Sequence, residues 1–115
     1  MDGRQKYCMV KFNDELVCID NSIELFRLLG KKYTIMIMTL LANNKLKNQN
    51  FNKIVNDLPG SDKTLISLRI KQLTKFGIIE RKSYGNITYE LTDRGNEILR
   101  LILPLFRKMQ YDQLI

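Results

Sequence analysis

The feature that most constrains the fold is a sharp break at Pro59 and Gly60 between two stretches of helical sequence. Before the break, apolar residues recur at the three- and four-residue spacing of a helix: Phe51, Ile54, Val55 and Leu58. After it, Asp62 is suited to cap a second helix that runs to about Phe76 and ends at Gly77. Because proline cannot continue a helix and glycine permits a tight turn, this pattern predicts a helix-turn-helix.

Two short runs of strand-forming residues follow the second helix, at residues 79–83 and 87–91. The link between them contains Gly85 and Asn86, which tolerate the positive φ angles of a tight turn. A β-hairpin is therefore predicted directly after the helix-turn-helix. Thr92 is suited to cap a final helix at about residues 93–111.

The N-terminal part of the chain predicts a second hairpin and two helices. Residues 7–12 and 16–19 are short apolar runs around the polar residues 13–15. Residues 20–22 (Asp-Asn-Ser) offer N-cap side chains for a first helix that ends at Gly30. Residues 33–41 are almost continuously apolar and predict a buried second helix, although β-branched Ile35 and Ile37 leave a strand as the alternative.

The second helix of the helix-turn-helix has two distinct faces at 100° per residue. Ile66, Ile70 and Leu73 fall on one side and are predicted to enter the core. The opposite side is polar and basic, so its lysines can reach phosphate or guanine and its hydroxyls can reach phosphates or base edges. The candidate DNA-contacting residues on this side are Lys63, Thr64, Ser67, Leu68, Lys71 and Lys75.

Two residues of this helix leave alternatives open. Leu68 is apolar on the outward side, where it either packs against a neighbouring segment, the commoner case, or contacts a thymine methyl group or the groove wall. Arg69 lies at the edge between the faces, where it can bind a backbone phosphate or pair with Glu80 or Asp57. We favour the phosphate contact for Arg69.

The predicted hairpin offers a second contact with DNA. Arg81 and Lys82 lie in its first strand, and Tyr84 and Asn86 lie at its tip. A basic ribbon beside a recognition helix can follow phosphates or reach the adjacent minor groove. The alternative is a surface hairpin whose charges keep its edge from aggregating, but the order of elements favours a wing.

Composition bears on partners and chemistry. The 115 residues have a formal net charge of +7, which favours a polyanionic partner: nucleic acid first, and an anionic membrane surface second. The alternative is a basic soluble protein with no such partner. There is no His, and Cys8 and Cys18 lack zinc-ligand spacing, so we expect no metal, no cofactor and no enzymatic activity. No apolar run is long enough to span a membrane, and the first residues do not resemble a signal peptide, so we expect a cytoplasmic protein with reduced thiols.

Four segments resemble the HxlR-type family of winged-helix transcriptional regulators. They are LLGKKYTIMIM at 28–38, FNKIVNDLPG at 51–60, DKTLISLRIKQLTKFGIIER at 62–81 and YELTDRGNEI at 89–98. The Leu-Pro-Gly step of the second segment is the most specific, whereas many winged-helix families share the last. The resemblance implies a homodimer joined by terminal helices, in which paired recognition helices read two half-sites.

The sequence departs from the family pattern near its N terminus. Asp20 stands where many members have the Cys of a Cys-Pro pair, and Cys18 lies two residues earlier. We therefore expect Cys18 to be a small buried hydrophobic side chain and not a redox sensor, so a redox or small-molecule effector has no support here. The wing is also shorter than usual and lacks prolines.

The final helix has more apolar residues than one packing face requires, and an apolar surplus on a terminal helix needs a partner. Pro104 is expected to kink this helix and so to set the angle at which it meets a second subunit. The candidate dimer-interface residues are Leu99, Leu101, Ile102, Leu105, Phe106 and Met109.

Together these features predict an α+β fold, a single winged helix-turn-helix domain over residues 1–115. An N-terminal arm or hairpin covers about residues 1–20, and a dimerisation helix covers about 93–111. The predicted function is sequence-specific binding of double-stranded DNA by a homodimeric regulator, more often a repressor, at a near-palindromic site. The alternatives are a sequence-indifferent, chromatin-like DNA-binding protein and a protein-interaction module, which would need an apolar or acidic outer face.

Overall fold

The computed structural model describes residues 9–18, 20–43, 49–58, 60 and 62–114, and for residues 18, 20, 21, 84 and 111–114 it describes the backbone alone. The predicted strand residues 7, 8 and 19 lie outside the described set, as does the side chain of Cys18. The chain divides into two compact units between Lys31 and Lys32. One domain over residues 1–115 stays a prediction.

The first unit contains the predicted N-terminal hairpin. Strands β1 (Met9–Phe12) and β2 (Glu15–Cys18) pair antiparallel. Asn13 and Asp14 join them with φ angles of 51° and 65°, a left-handed conformation that these two residue types tolerate better than most. The hairpin is confirmed, but Glu15 belongs to the second strand and not to the turn.

Helix α1 (Asp20–Leu29) completes this unit. It ends as predicted at Gly30, whose amide donates to the Phe26 carbonyl at 3.2 Å. The predicted capping residues 20–22 lie inside the helix and not before it, which corrects its start. Short polar and acidic side chains also suit a first helical turn, because its unpaired amides and the helix dipole attract negative charge.

The second unit begins with helix α2 (Thr34–Asn43). Its buried side chains are spaced i, i+3, i+4 and i+7, so they form one face that is inserted into the core: Thr34, Ile37, Met38 and Leu41. The predicted helix is confirmed, and the strand alternative for this segment is wrong.

Helices α3 (Phe51–Asp57) and α4 (Lys63–Lys75) form the predicted helix-turn-helix. Each begins with a side-chain cap, in which Asn50 and Asp62 accept a hydrogen bond from the amide three residues along the chain, at 2.8 and 3.1 Å. The Asp62 cap is confirmed. The Asn50 cap was not predicted, because the sequence around it indicates only a polar connection.

Glycines in left-handed conformation stand on either side of α4. Gly60, in the turn, has a φ angle of 59°, and Gly77, after the helix, has a φ angle of 73°. Between them α4 turns its predicted inner side to the core, where it meets α3. The buried residues of the two helices include Ile54, Val55, Ile66, Ile70 and Leu73.

Strands β3 (Ile79–Tyr84) and β4 (Asn86–Leu91) form the predicted hairpin. Its pairing continues to the last possible residues, so Tyr84 and Asn86 lie opposite each other in the ladder and Gly85 alone makes the turn, with a φ angle of 83°. The predicted three-residue tip is corrected accordingly.

The base of this hairpin is tied to the helices. Gln49 and Tyr89 exchange two backbone hydrogen bonds of 3.0 and 2.7 Å, which adds a third segment beside β4. Helices α2 and α3 also contact β4. The sequence did not predict the Gln49 pairing.

Helix α5 (Asp93–Leu114) closes the unit and extends beyond its predicted end. Thr92 caps it as predicted: its hydroxyl oxygen accepts from the Gly95 amide at 3.0 Å and donates to the Gly77 carbonyl at 2.5 Å. Pro104 lies inside the helix, and the kink expected there stays a prediction. Across the described part of the chain, no helix is long and apolar enough to cross a membrane.

Candidate nucleic-acid interface

The outward side of α4 is a continuous polar and basic surface. The helix contains no acidic residue, and five of the six side chains predicted to face outward are exposed, while Ser67 is half-buried. Their spacing keeps them on one stripe of the helix. We call this stripe the outer face of α4, and it consists of Lys63, Thr64, Ser67, Leu68, Lys71 and Lys75.

An aromatic side chain joins this surface from the neighbouring helix. Phe51, the first residue of α3, is half-buried and lines an open depression of about 570 Å³ together with the outer face from Lys63 to Lys71. From the sequence, Phe51 was grouped only by its helical spacing with Ile54 and Leu58. Its place beside α4 depends on how the two helices pack, which no local pattern shows.

Arg69 faces the protein interior and not the edge of the outer face of α4. Its side chain is 7% exposed. Its Nε donates to the Lys32 carbonyl and its Nη1 to the Gln72 side-chain oxygen, each at 3.0 Å. Asp57 and Glu80, the alternative partners, each pair with a nearby lysine. These internal bonds correct the expectation of a phosphate contact for Arg69.

Tyr33 fixes the turn of the helix-turn-helix to the start of α2. Its ring is buried, its φ angle of 76° is rare for an aromatic residue, and its hydroxyl donates to the Gly60 carbonyl at 2.6 Å. The hydrogen bond from Arg69 to the Lys32 carbonyl is made one residue earlier in the chain. Two consecutive residues, Lys32 and Tyr33, therefore hold both the turn and α4 in place.

The wing carries its two basic residues on opposite faces, because neighbouring residues of a strand alternate. Arg81 is exposed. Lys82 is less exposed, and its Nζ lies 3.6 Å from the carboxylates of both Glu80 and Glu90, which oppose each other in the ladder. The predicted basic ribbon is therefore partly neutralised by its own acids. Among the predicted tip residues, Asn86 has an exposed side chain, and the side chain of Tyr84 lies outside the described set.

The far part of α5 exposes an apolar stripe. At 100° per residue its members fall within an arc of about 140°. Leu101 is 77% exposed and Leu105 59%. Leu99 is 3% exposed, so it belongs to the core of the chain, which corrects its assignment to the interface. The α5 apolar stripe consists of Leu101, Ile102, Leu105, Phe106 and Met109.

Known proteins resemble this chain in both sequence and fold. The family described as HxlR-like helix-turn-helix matches residues 28–112. A possible HxlR family transcriptional factor from Thermoplasma volcanium GSS1 is 37% identical, with a TM-score of 0.78 over 93% of this chain and 97% of that one. A protein assigned to the MarR family of transcriptional regulators, from Enterococcus faecalis V583, is 18% identical with a TM-score of 0.73 over 90% and 96% of the chains, which shows a likeness of fold.

An uncharacterized HTH-type transcriptional regulator from Synechocystis sp. is 30% identical over 84 residues, or 70% of this chain. The present chain spans 60% of the length of that relative. The family match includes the outer face of α4, the wing and the α5 apolar stripe. The winged-helix fold and the resemblance seen in the sequence are thereby confirmed, and the chain belongs to the HxlR-like helix-turn-helix family.

Proposed function

We propose that this protein is a sequence-specific, DNA-binding transcriptional regulator. The observation that carries the proposal is the outer face of α4, which is exposed, basic and free of acidic residues along the whole helix. Family membership and the transcriptional regulators among its relatives support the same role. The proposed role is one of binding and not of catalysis, and the proposed location is the cytoplasm.

Helix α4 enters the major groove in this proposal. Lys63, Lys71 and Lys75 supply cations for phosphates or guanine, and the hydroxyls of Thr64 and Ser67 reach phosphates or base edges. Phosphate contacts would provide much of the affinity and base-edge contacts the preference for sequence. The two bonds from Lys32 and Tyr33 into the helix-turn-helix support this role, because a reading helix must be held rigidly.

The wing adds contacts outside the major groove. Arg81 and Asn86 are exposed and suited to phosphates or to the minor-groove edge. Lys82 contributes less, since a phosphate would have to compete with two carboxylates.

The active form is a homodimer that meets through the α5 apolar stripe and reads a near-palindromic site, most often as a repressor. The exposure of the stripe supports this assembly, because burying these apolar side chains against a second chain is more favourable than leaving them in water.

A salt titration tests the proposal. The protein is titrated with a duplex that it has itself enriched from a random pool, and with a random duplex of equal length, between about 50 and 200 mM salt. A regulator binds the enriched duplex at least about a thousandfold more tightly. Equal affinities would identify a sequence-indifferent DNA-binding protein, and failure to enrich any duplex from the pool would favour the protein-interaction module.

The matched variants are Ser67→Ala and Lys71→Ala. Each is expected to weaken binding of the enriched duplex by about 1–3 kcal/mol if it removes a base-edge contact. Both side chains lie outside the core, so the fold should persist. Unchanged affinity in both variants would show that α4 does not read the DNA.

A further inference from the structure

Leu68 is the one apolar member of the outer face of α4; it lies near the middle of the face along the helix axis and at one edge of it around the helix. Thr64 precedes it by one helical turn and Lys71 follows by one turn. Its side chain is 46% exposed. A single exposed leucine is ordinary. This one, however, lines the same depression as Phe51, so two large apolar side chains border one hollow.

The rest of the depression is cationic and hydroxylic. Its other lining residues are Lys63, Thr64, Ser67 and Lys71. The two lysines are eight residues apart, which is a rise of about 12 Å along α4. Both are suited to phosphates or guanine beside the base that Leu68 reaches.

The floor of the major groove offers one apolar group that suits such a hollow. Among the four bases, only thymine carries a methyl group at C5, and this methyl lies beside the O4 acceptor. An apolar surface accepts the methyl, and the neighbouring hydroxyls and lysines are donors for O4 and the phosphates. A cytosine at the same position would leave the apolar side chains without a partner.

We propose that Leu68 and Phe51 form a contact site for the C5 methyl group of thymine, so that α4 selects thymine at one position of each half-site. The proposal rests on the DNA-binding function proposed above. Leu68 makes the direct contact, and Phe51 closes the hollow from the side of α3. Both residues therefore contribute to the preference for sequence, which phosphate contacts do not provide.

The test removes the methyl group from the DNA and leaves every hydrogen-bonding group in place. The probe is the duplex enriched by the unaltered protein, compared with the same duplex in which single thymines are replaced by deoxyuridine. Binding should weaken about fourfold for each contacted methyl group lost, the effect of one buried methyl-sized group. Leu68→Ala should bind the thymine duplex more weakly and should no longer distinguish thymine from uracil.

Met36→Ala is the matched control, since Met36 is 43% exposed and lies on α2. This variant should keep the full preference for thymine. The proposal is overturned if the unaltered protein binds all the deoxyuridine duplexes as tightly as the thymine duplex, or if Leu68→Ala keeps the preference. Either result leaves the regulator proposal standing, provided that the enriched duplex is still bound more tightly than a random one. If no duplex is bound, both proposals fail.

Discussion

Lysine and arginine have separate tasks on α4. Lys71 is exposed on the outer face, whereas the guanidinium of Arg69 is buried and donates to the Lys32 carbonyl and to Gln72. Arginine suits the inner position, because its planar fork makes several fixed hydrogen bonds while its long stem packs in apolar surroundings. One basic residue is therefore exposed to solvent and the other holds the helix.

Arg69→Ala and Lys71→Ala should accordingly change different properties, stability in the first case and DNA binding in the second. Arg69→Ala removes buried, charge-assisted hydrogen bonds and should lower the free energy of unfolding by about 1.5–3 kcal/mol, with the salt dependence of DNA binding unchanged. Lys71→Ala should leave stability within about 0.5 kcal/mol and reduce the salt slope by about one unit. Urea denaturation and binding titrations measure the two effects. A reduced slope in Arg69→Ala would mean that this residue reaches phosphate after all.

The sequence placed most residues of α4 on the right face, because a helix has a fixed angle per residue. It misplaced Arg69 and Leu99, since the angle does not reveal which distant segment covers a side chain. The Lys32 carbonyl that binds Arg69 lies 37 residues away along the chain. The place of Phe51 beside the outer face of α4 was missed for the same reason.

At the scale of elements, α5 approaches the start of the wing at a point where no side chain fits. A Cβ atom added to Gly95 would overlap the carbonyl oxygen of Ile78 and would lie 2.9 Å from a methyl group of Leu91. The neighbouring Thr92 binds the same segment through its hydroxyl, which donates to the Gly77 carbonyl. Close contact here sets the position of α5 against β3 and β4.

Gly95→Ala should therefore destabilise the protein by about 1–3 kcal/mol, the usual effect of overpacking. The sign of the change in stability is informative, because alanine in place of glycine inside an unobstructed helix would stabilise the helix by about 1 kcal/mol. Glu97→Ala, an exposed change on the same helix, is the control and should stay within about 0.5 kcal/mol. Thermal denaturation compares the three proteins, and a higher melting temperature for Gly95→Ala would contradict the close contact.

Elements whose signals are local were predictable: the Asp62 and Thr92 caps and the turn at Gly85 each depend on a few neighbouring residues. The pairing of Gln49 with Tyr89 was not, because it joins segments 40 residues apart and leaves no alternation of its own in the sequence. The exact start of α1 was mispredicted for a different reason, because several short polar residues at 20–22 could each serve as the cap.

At the scale of the whole molecule, two surfaces need partners of opposite character. The outer face of α4 is basic and suits a polyanion, whereas the α5 apolar stripe suits another apolar surface. A two-fold axis between the α5 helices of two chains would bury the α5 apolar stripe and would present two copies of α4 to the same duplex. Paired recognition helices are effective when they are about 34 Å apart, one turn of DNA, which is why the proposed site is near-palindromic.

Replacing Leu105 and Phe106 together by glutamate tests this assembly. Each apolar side chain loses about 1.5–3 kcal/mol if it stays in water, and two carboxylates facing their counterparts repel, so the variant should be monomeric and should bind the enriched duplex much more weakly. Arg107→Glu makes the same change in net charge, on the side of α5 away from the stripe, and should remain dimeric. Light scattering at micromolar concentration measures the mass of all three proteins. An unaltered protein that is monomeric there would contradict the dimer, and with it the pairing of half-sites, while a dimeric double variant would move the interface to another surface.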